Sequence, residues 1–160
     1  MPIRFDNLTV LIVEDTVAMS QLIKSVIEAL GVGRIIMANN GESGFKAFCE
    51  NAPDIALIDW QMKPTDGITL IKKIRNDPKS PNRTMPVIMM TGYSAVQRVA
   101  EARDSGCTEY MVKPFTAGDL AKRLAYVVNK PRDFILTDSY FGPDRRRRSD
   151  DNYEGINRRS

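Results

Sequence analysis

Residues 56–67 read ALIDWQMKPTDG, and the apolar run Ile55–Ile58 stops there at Asp59, beside Trp60, the only tryptophan in the chain. A short apolar run that ends in turn residues reads as a buried strand, here DIALID over 54–59. A carboxylate at the mouth of such a strand is a helix cap, a packing accident or a reactive group. The neighbouring segments decide between these.

The same pattern recurs on both sides. LTVLIV (8–13) is a continuous apolar run and reads as a strand buried on both faces. From Thr16 to Leu30, Met19, Leu22, Ile23, Val26, Ile27 and Leu30 fall at helical spacing, and Gly31 is placed to end that helix. GRIIMA (33–38) is a second strand, and Gly41–Glu50 a helix with Gly44, Ala47 and Phe48 inward. A helix over about 66–77 carries Ile68, Ile71, Lys72 and Ile74, and the polar NDPKSPNRT after it is a loop. PVIMMT (86–91) is a fourth strand, followed by a helix over 94–104 with Ser94 as its N-cap. CTEYMVK (107–113) is the fifth strand and 117–129 the fifth helix. Alternation of this kind implies right-handed crossovers and a parallel sheet covered on both faces, an α/β three-layer sandwich. In such sheets functional groups collect where the strands end at their carboxyl side.

Those ends are rich in chemistry. The first strand ends in Glu14-Asp15, the third in Asp59, the fourth in Thr91-Gly92 and the fifth in Lys113-Pro114. Each residue has a bland reading alone: Asp15, Asp59 or Thr91 as a cap, Lys113 as a solvated charge. Together they set three carboxylates, a hydroxyl and an ammonium on one edge. That combination suits a hard divalent ion such as Mg²⁺, with a point charge for a phosphoryl group.

Composition narrows the chemistry. The chain has 160 residues, 42% hydrophobic and 27% charged, enough for one domain and a short extension. It contains no histidine, which excludes a Ser-His-Asp or Cys-His site and a phosphohistidine on this chain. Cys49 and Cys107 form no C-x-x-C pair and read as packing residues. No apolar stretch approaches the roughly 20 residues that span a bilayer, and the amino-terminal run does not read as a signal peptide. A cytoplasmic protein without membrane insertion is therefore expected. No Gly-rich phosphate loop follows the first strand, so a metabolic enzyme or flavin carrier fits poorly.

The motifs VED (13–15), IDWQM (58–62) with DG (66–67), MTG (90–92) and YMVKPF (110–115) make residues 6–129 resemble a two-component response-regulator receiver domain, the family that includes the chemotaxis regulator. The resemblance implies a flavodoxin-like fold with strand order 2-1-3-4-5. It assigns Asp59 as phosphoacceptor, with Mg²⁺ held by Glu14, Asp15, Asp59 and the backbone carbonyl of Gln61. Thr91 would contact a phosphoryl oxygen, and Lys113 would pair first with the carboxylate and then with the phosphoryl group. A cis bond often precedes the proline at position 114. Gln61 and Tyr93 occupy positions that tune dephosphorylation. Tyr110 would turn inward on phosphorylation, reshaping the face of the fourth helix, fifth strand and fifth helix to bind a partner; the plain alternative has it packing on the fifth helix. The donor would be a sensor histidine kinase or a histidine phosphotransfer protein, the reader a downstream protein target. No enzyme is implied beyond self-catalysed phosphotransfer and hydrolysis. A phosphotransfer intermediate or phosphate sink shares every site residue, and a scaffold that takes no phosphate is opposed by the complete residue set. Lys63 departs from the family, which commonly has proline there, and the loop 76–85 looks longer than usual.

The receiver unit is expected over 1–130, with an Arg-rich tail over 131–160 that is either disordered or a docking segment. Its charge is nearly balanced, seven arginines against six acids, so it makes no broad nucleic-acid footprint. It is too short for a winged-helix or catalytic output, which reads as a stand-alone regulator. Phe134, Tyr140, Phe141, Arg145 and Arg146 are its candidate docking residues.

Overall fold

Continuous apolar runs become strands here because each has helices on both sides. The computed structural model describes residues 5–92, 96–137 and 139–144, with the backbone alone for 96–98. Five strands and five helices alternate: β1 Thr9–Val13, α1 Val17–Ala29, β2 Arg34–Ala38, α2 Gly41–Asn51, β3 Ile55–Asp59, α3 Gly67–Asn76, β4 Val87–Thr91, α4 Val96–Asp104, β5 Glu109–Val112 and α5 Ala117–Asn129. The sheet is parallel with order β2-β1-β3-β4-β5, as the resemblance implies.

Successive strand residues face opposite layers. Leu11, Val13, Ala56, Ile58, Val87 and Met89 join Phe45, Phe48, Ile68 and Ile71 in one core cluster. Val10, Ile12, Ile55, Leu57, Ile88 and Met90 join Ile23, Ile27, Leu120 and Leu124 in the other. Tyr110 packs with the first cluster and Met111 belongs to the second, so Tyr110 lies on the layer opposite α5. The alternative that it packs on the fifth helix is thereby corrected. The reason is parity along β5: Glu109, one residue away, accepts from Arg123 of α5 at 3.1 Å.

Helix starts follow local chemistry. Asn40 caps α2 by accepting from the Ser43 amide, and Asp66 caps α3 by accepting from Thr69. Thr116 and Asp119 form a reciprocal capping box on α5. Gly31, at φ +84°, follows the end of α1 as expected. The proposed N-cap Ser94 lies outside the described residues. On α3 the inward positions continue from Ile68 and Ile71 to Arg75, which is fully buried, whereas Lys72 is exposed.

The chain also continues past α5. Phe134–Leu136 (β6) and Phe141–Pro143 (β7) pair as an antiparallel hairpin, with Thr137 N donating to Tyr140 O. Cys49 is half-buried and Cys107 buried, and both are free thiols.

Candidate phosphoacceptor site

Register brings the site together. Val13 pairs with Ile58, so one further residue sets Glu14 level with Asp59. Asp59 pairs with Met90 and Thr91 with Val112, so Thr91 and Lys113 each reach one residue further. The ladder continues at this edge through Trp60 N to Met90 O and Lys113 N to Thr91 O.

Ligand oxygens of Glu14, Asp15 and Asp59 lie within 4.8 Å of one another. Glu14 and Asp59 are each 2% exposed, while Asp15 faces solvent. Asp15 does not stand at the cap of α1: Thr16 occupies the N-cap position, and that end has no side-chain cap. Asp59 does not cap α3 either, since Asp66 does. The Lys113 ammonium donates to Asp59 Oδ1 at 2.9 Å and to Glu14 Oε1 at 3.1 Å. The Lys113–Pro114 peptide is cis, and so is Lys63–Pro64.

Two buried carboxylates therefore share one ammonium, and a third carboxylate stands beside them. Burial pushes the Asp59 carboxyl up to about 6; the Lys113 hydrogen bond opposes this and the Glu14 charge adds to it. For Lys113, burial pulls the ammonium down, but the bond to and charge of Asp59, with Glu14, outweigh it and the net shift is upward. The cluster is short of positive charge. Hard oxygen donors at this spacing fit a divalent cation that supplies it.

Thr91 is buried, and its hydroxyl accepts from Gln61 Nε2 at 3.0 Å. The other end of that carboxamide, Gln61 Oε1, accepts from the Gly92 amide at 3.4 Å. Gln61 thus spans from the loop after β3 to the end of β4, a link its position alone did not disclose. Gln61→Ala is expected to cost about 0.5–1 kcal/mol in urea unfolding and to speed exchange of the Gly92 amide. Tyr93, Arg145 and Arg146 lie outside the described residues. Lys63 is exposed. Phe134, Tyr140 and Phe141 lie far from this edge, in the hairpin.

Trp60 is buried directly behind Asp59, with its backbone pinned by Gly67 N donating to Trp60 O at 3.0 Å. A side chain at position 67 would place Cβ 2.4 Å from the Asp59 carbonyl oxygen. Gly67→Ala is therefore expected to shift the loop that follows β3 and to cost about 2–3 kcal/mol of stability by urea titration.

The sequence profile of the response regulator receiver domain matches residues 10–125. The chain belongs to the response-regulator receiver-domain family. Among its relatives, the chemotaxis protein CheY1 of Helicobacter pylori is 33% identical over 119 residues, 74% of this chain and 94% of that protein. Chemotaxis protein CheY-3 of Vibrio cholerae is 32% identical over 118 residues, 74% of this chain and 89% of that one. The solved receiver domain of the Francisella response regulator 1452 superposes with a TM-score of 0.68 at 30% identity, covering 78% of this chain and all of that one. The chain is thus a CheY-like receiver domain of two-component signalling, with an acidic cluster able to hold a metal. No helix among the described residues is long and apolar enough to cross a membrane.

Proposed function

We propose that this receiver accepts a phosphoryl group on Asp59 from a phosphohistidine of a sensor histidine kinase or histidine phosphotransfer protein, in the cytoplasm. The observation that carries the reading is the shared ammonium: Lys113 bridges Asp59 and Glu14 within 3.1 Å at a buried edge where Asp15 also converges. Mg²⁺ held by Glu14, Asp15, Asp59 and the Gln61 carbonyl would neutralise charge on the transferring phosphoryl oxygens. The receiver's own groups do the rest. An Asp59 carboxylate oxygen forms the new bond to phosphorus as the phosphorus–nitrogen bond breaks, its electron pair leaving on the imidazole. Lys113 exchanges its carboxylate partner for a phosphoryl oxygen, and Thr91 gives up its bond from Gln61 to donate to another.

The consequence is a protein-binding switch. Thr91 pairs across the sheet with Val112, two residues from Tyr110, so a shift at the top of β4 reaches the face of α4, β5 and α5. That face is where a downstream target would bind. The receiver unit is taken as residues 1–130, with 131–160 as an appended segment.

Trp60 reports on this directly. Its fluorescence is expected to change on Mg²⁺ addition and again with beryllofluoride, and the second change should vanish in Asp59→Asn. A wild type that responds to Mg²⁺ but to no phosphoryl mimic or donor would remove the acceptor role and leave a metal-binding scaffold.

A further inference from the structure

At the end of the sheet opposite Asp59, a fully buried arginine has no carboxylate partner among the described residues. Arg75 Nε donates to Gly106 O at 2.9 Å, and Nη1 donates to Met85 O at 2.7 Å and Arg83 O at 2.8 Å. Its Nη2 is buried with no hydrogen-bond partner among the described residues. What closes over it is the hairpin. The Phe134 ring centroid lies 4.9 Å from the Arg75 guanidinium carbon, and Phe141 lies 4.0 Å from that of Arg83. The two rings stand 5.6 Å apart, so each arginine has an aromatic face against it.

The hairpin also grips the turn between α4 and β5. Gly142 lies against Gly106: a Cβ on Gly142 would stand 3.2 Å from the Gly106 Cα and 2.5 Å from the Tyr140 hydroxyl oxygen. Arg132 Nη1 donates to Thr108 O at 3.2 Å, and Nη2 donates to Asp144 O, tying both legs of the hairpin to that turn. Thr108 in turn locks to β4, its amide donating to Val87 O and its hydroxyl accepting from the Val87 amide. Residues 105–108 are thus held from α3 by Arg75, from β4 by Val87 and from the tail by Arg132 and Gly142.

We propose that residues 131–137 and 139–144 form a clamp that fixes the α4–β5 turn, and that docking of this clamp is thermodynamically linked to phosphorylation of Asp59. The first half stands on the contacts just described. The second rests on the acceptor reading above. One way for the face of α4, β5 and α5 to change shape is a movement of α4 against β5, and the clamp holds the turn that joins them. The hairpin is docked here on the arrangement in which Lys113 pairs with the bare Asp59 carboxylate. On this proposal the docked hairpin favours that arrangement over the phosphorylated one, and linkage then has phosphorylation weaken the clamp.

The test uses full-length protein with Phe134→Ala/Phe141→Ala, Gly142→Ala, and Leu136→Ala as a control at a position 74% exposed on the same hairpin. Hydrogen exchange without any phosphoryl mimic should accelerate about tenfold over 105–112 in the first two and not in the control. The midpoint for Mg²⁺-beryllofluoride, read by Trp60, should fall about fivefold in the same two, and beryllofluoride should speed exchange of wild-type 134–143. Unchanged exchange over 105–112 in both hairpin variants, with β1 and β3 still protected, would overturn the clamp. Accelerated exchange with an unmoved midpoint would overturn the linkage. A wild type that ignores beryllofluoride would remove the acceptor reading and the linkage with it, while the exchange comparison still decides the clamp. A hairpin variant in which β1 and β3 also lose protection is read through the other one, since Gly142→Ala and the double phenylalanine replacement disturb different contacts.

Discussion

Asp59→Asn is expected to abolish covalent phosphorylation and, in metal-free buffer at pH 7.5, to be more stable than the wild type by about 1–2 kcal/mol. The sign follows from the carboxyl's position at about 6 in the folded protein against 3.8 for an ordinary aspartate. Between these values the folded state binds more protons than the unfolded one, so wild-type stability falls as pH rises from about 4 through about 6. Above that range the full penalty of a buried carboxylate beside Glu14 remains. Asparagine carries no charge and escapes it. Mg²⁺ should stabilise the wild type strongly and the variant weakly, because the ion relieves the same repulsion. Urea titrations at pH 5 and pH 7.5, with and without Mg²⁺, check all of this. A variant no more stable than wild type at pH 7.5 would mean that the bond from Lys113 outweighs burial and repulsion.

Lys113→Ala should act in the opposite direction. The Lys113 side chain is 22% exposed, but its partners Glu14 and Asp59 are almost completely covered. Removing the ammonium leaves two adjacent buried carboxylates without their cation, at a cost of about 2–3 kcal/mol once the partial exposure of the lysine is discounted. Mg²⁺ should recover more stability in this variant than in wild type. Phosphorylation by a small-molecule donor should slow by about 100-fold, since one of the charges facing the transferring group is gone. Unfolding titrations with a Mg²⁺ series, and donor time courses at saturating Mg²⁺, separate the two effects. A variant phosphorylated at the wild-type rate would confine Lys113 to structure.

How far these residues could be read from the sequence depended on how long their patterns were. The five strands announced themselves because a strand covered on both faces has no reason to alternate, and LTVLIV or PVIMMT shows that plainly. The acidic edge was legible for the same reason: where the apolar run stops, the strand stops, so Glu14, Asp59, Thr91 and Lys113 were placed by the ends of their strands. Tyr110 required one more step, parity along β5, to be assigned to its correct layer. The hairpin was much less visible. Its strands are three residues long, and its partners are Arg75 and Arg83, which read as polar residues on a helix and in a loop. Arginine buries well when backbone carbonyls and aromatic faces surround it, and nothing local in the sequence announces that. The chain's own turn signal, Thr137 to Tyr140 ahead of Phe-Gly-Pro, was the one cue available. Likewise the Gln61 link to Thr91 and Gly92 joins residues about thirty positions apart and exists only because β3 and β4 are neighbours.

Whether Asp59 is a metal-dependent phosphoacceptor is decided by intact-protein mass after incubation with acetyl phosphate. One phosphoryl group should be gained in the presence of Mg²⁺, mapped to the peptide containing Asp59, with little or none in chelator and none in Asp59→Asn. A mass unchanged in Mg²⁺ for a protein whose Trp60 shows it to bind the ion, or a phosphoryl group mapped to another residue, would contradict it.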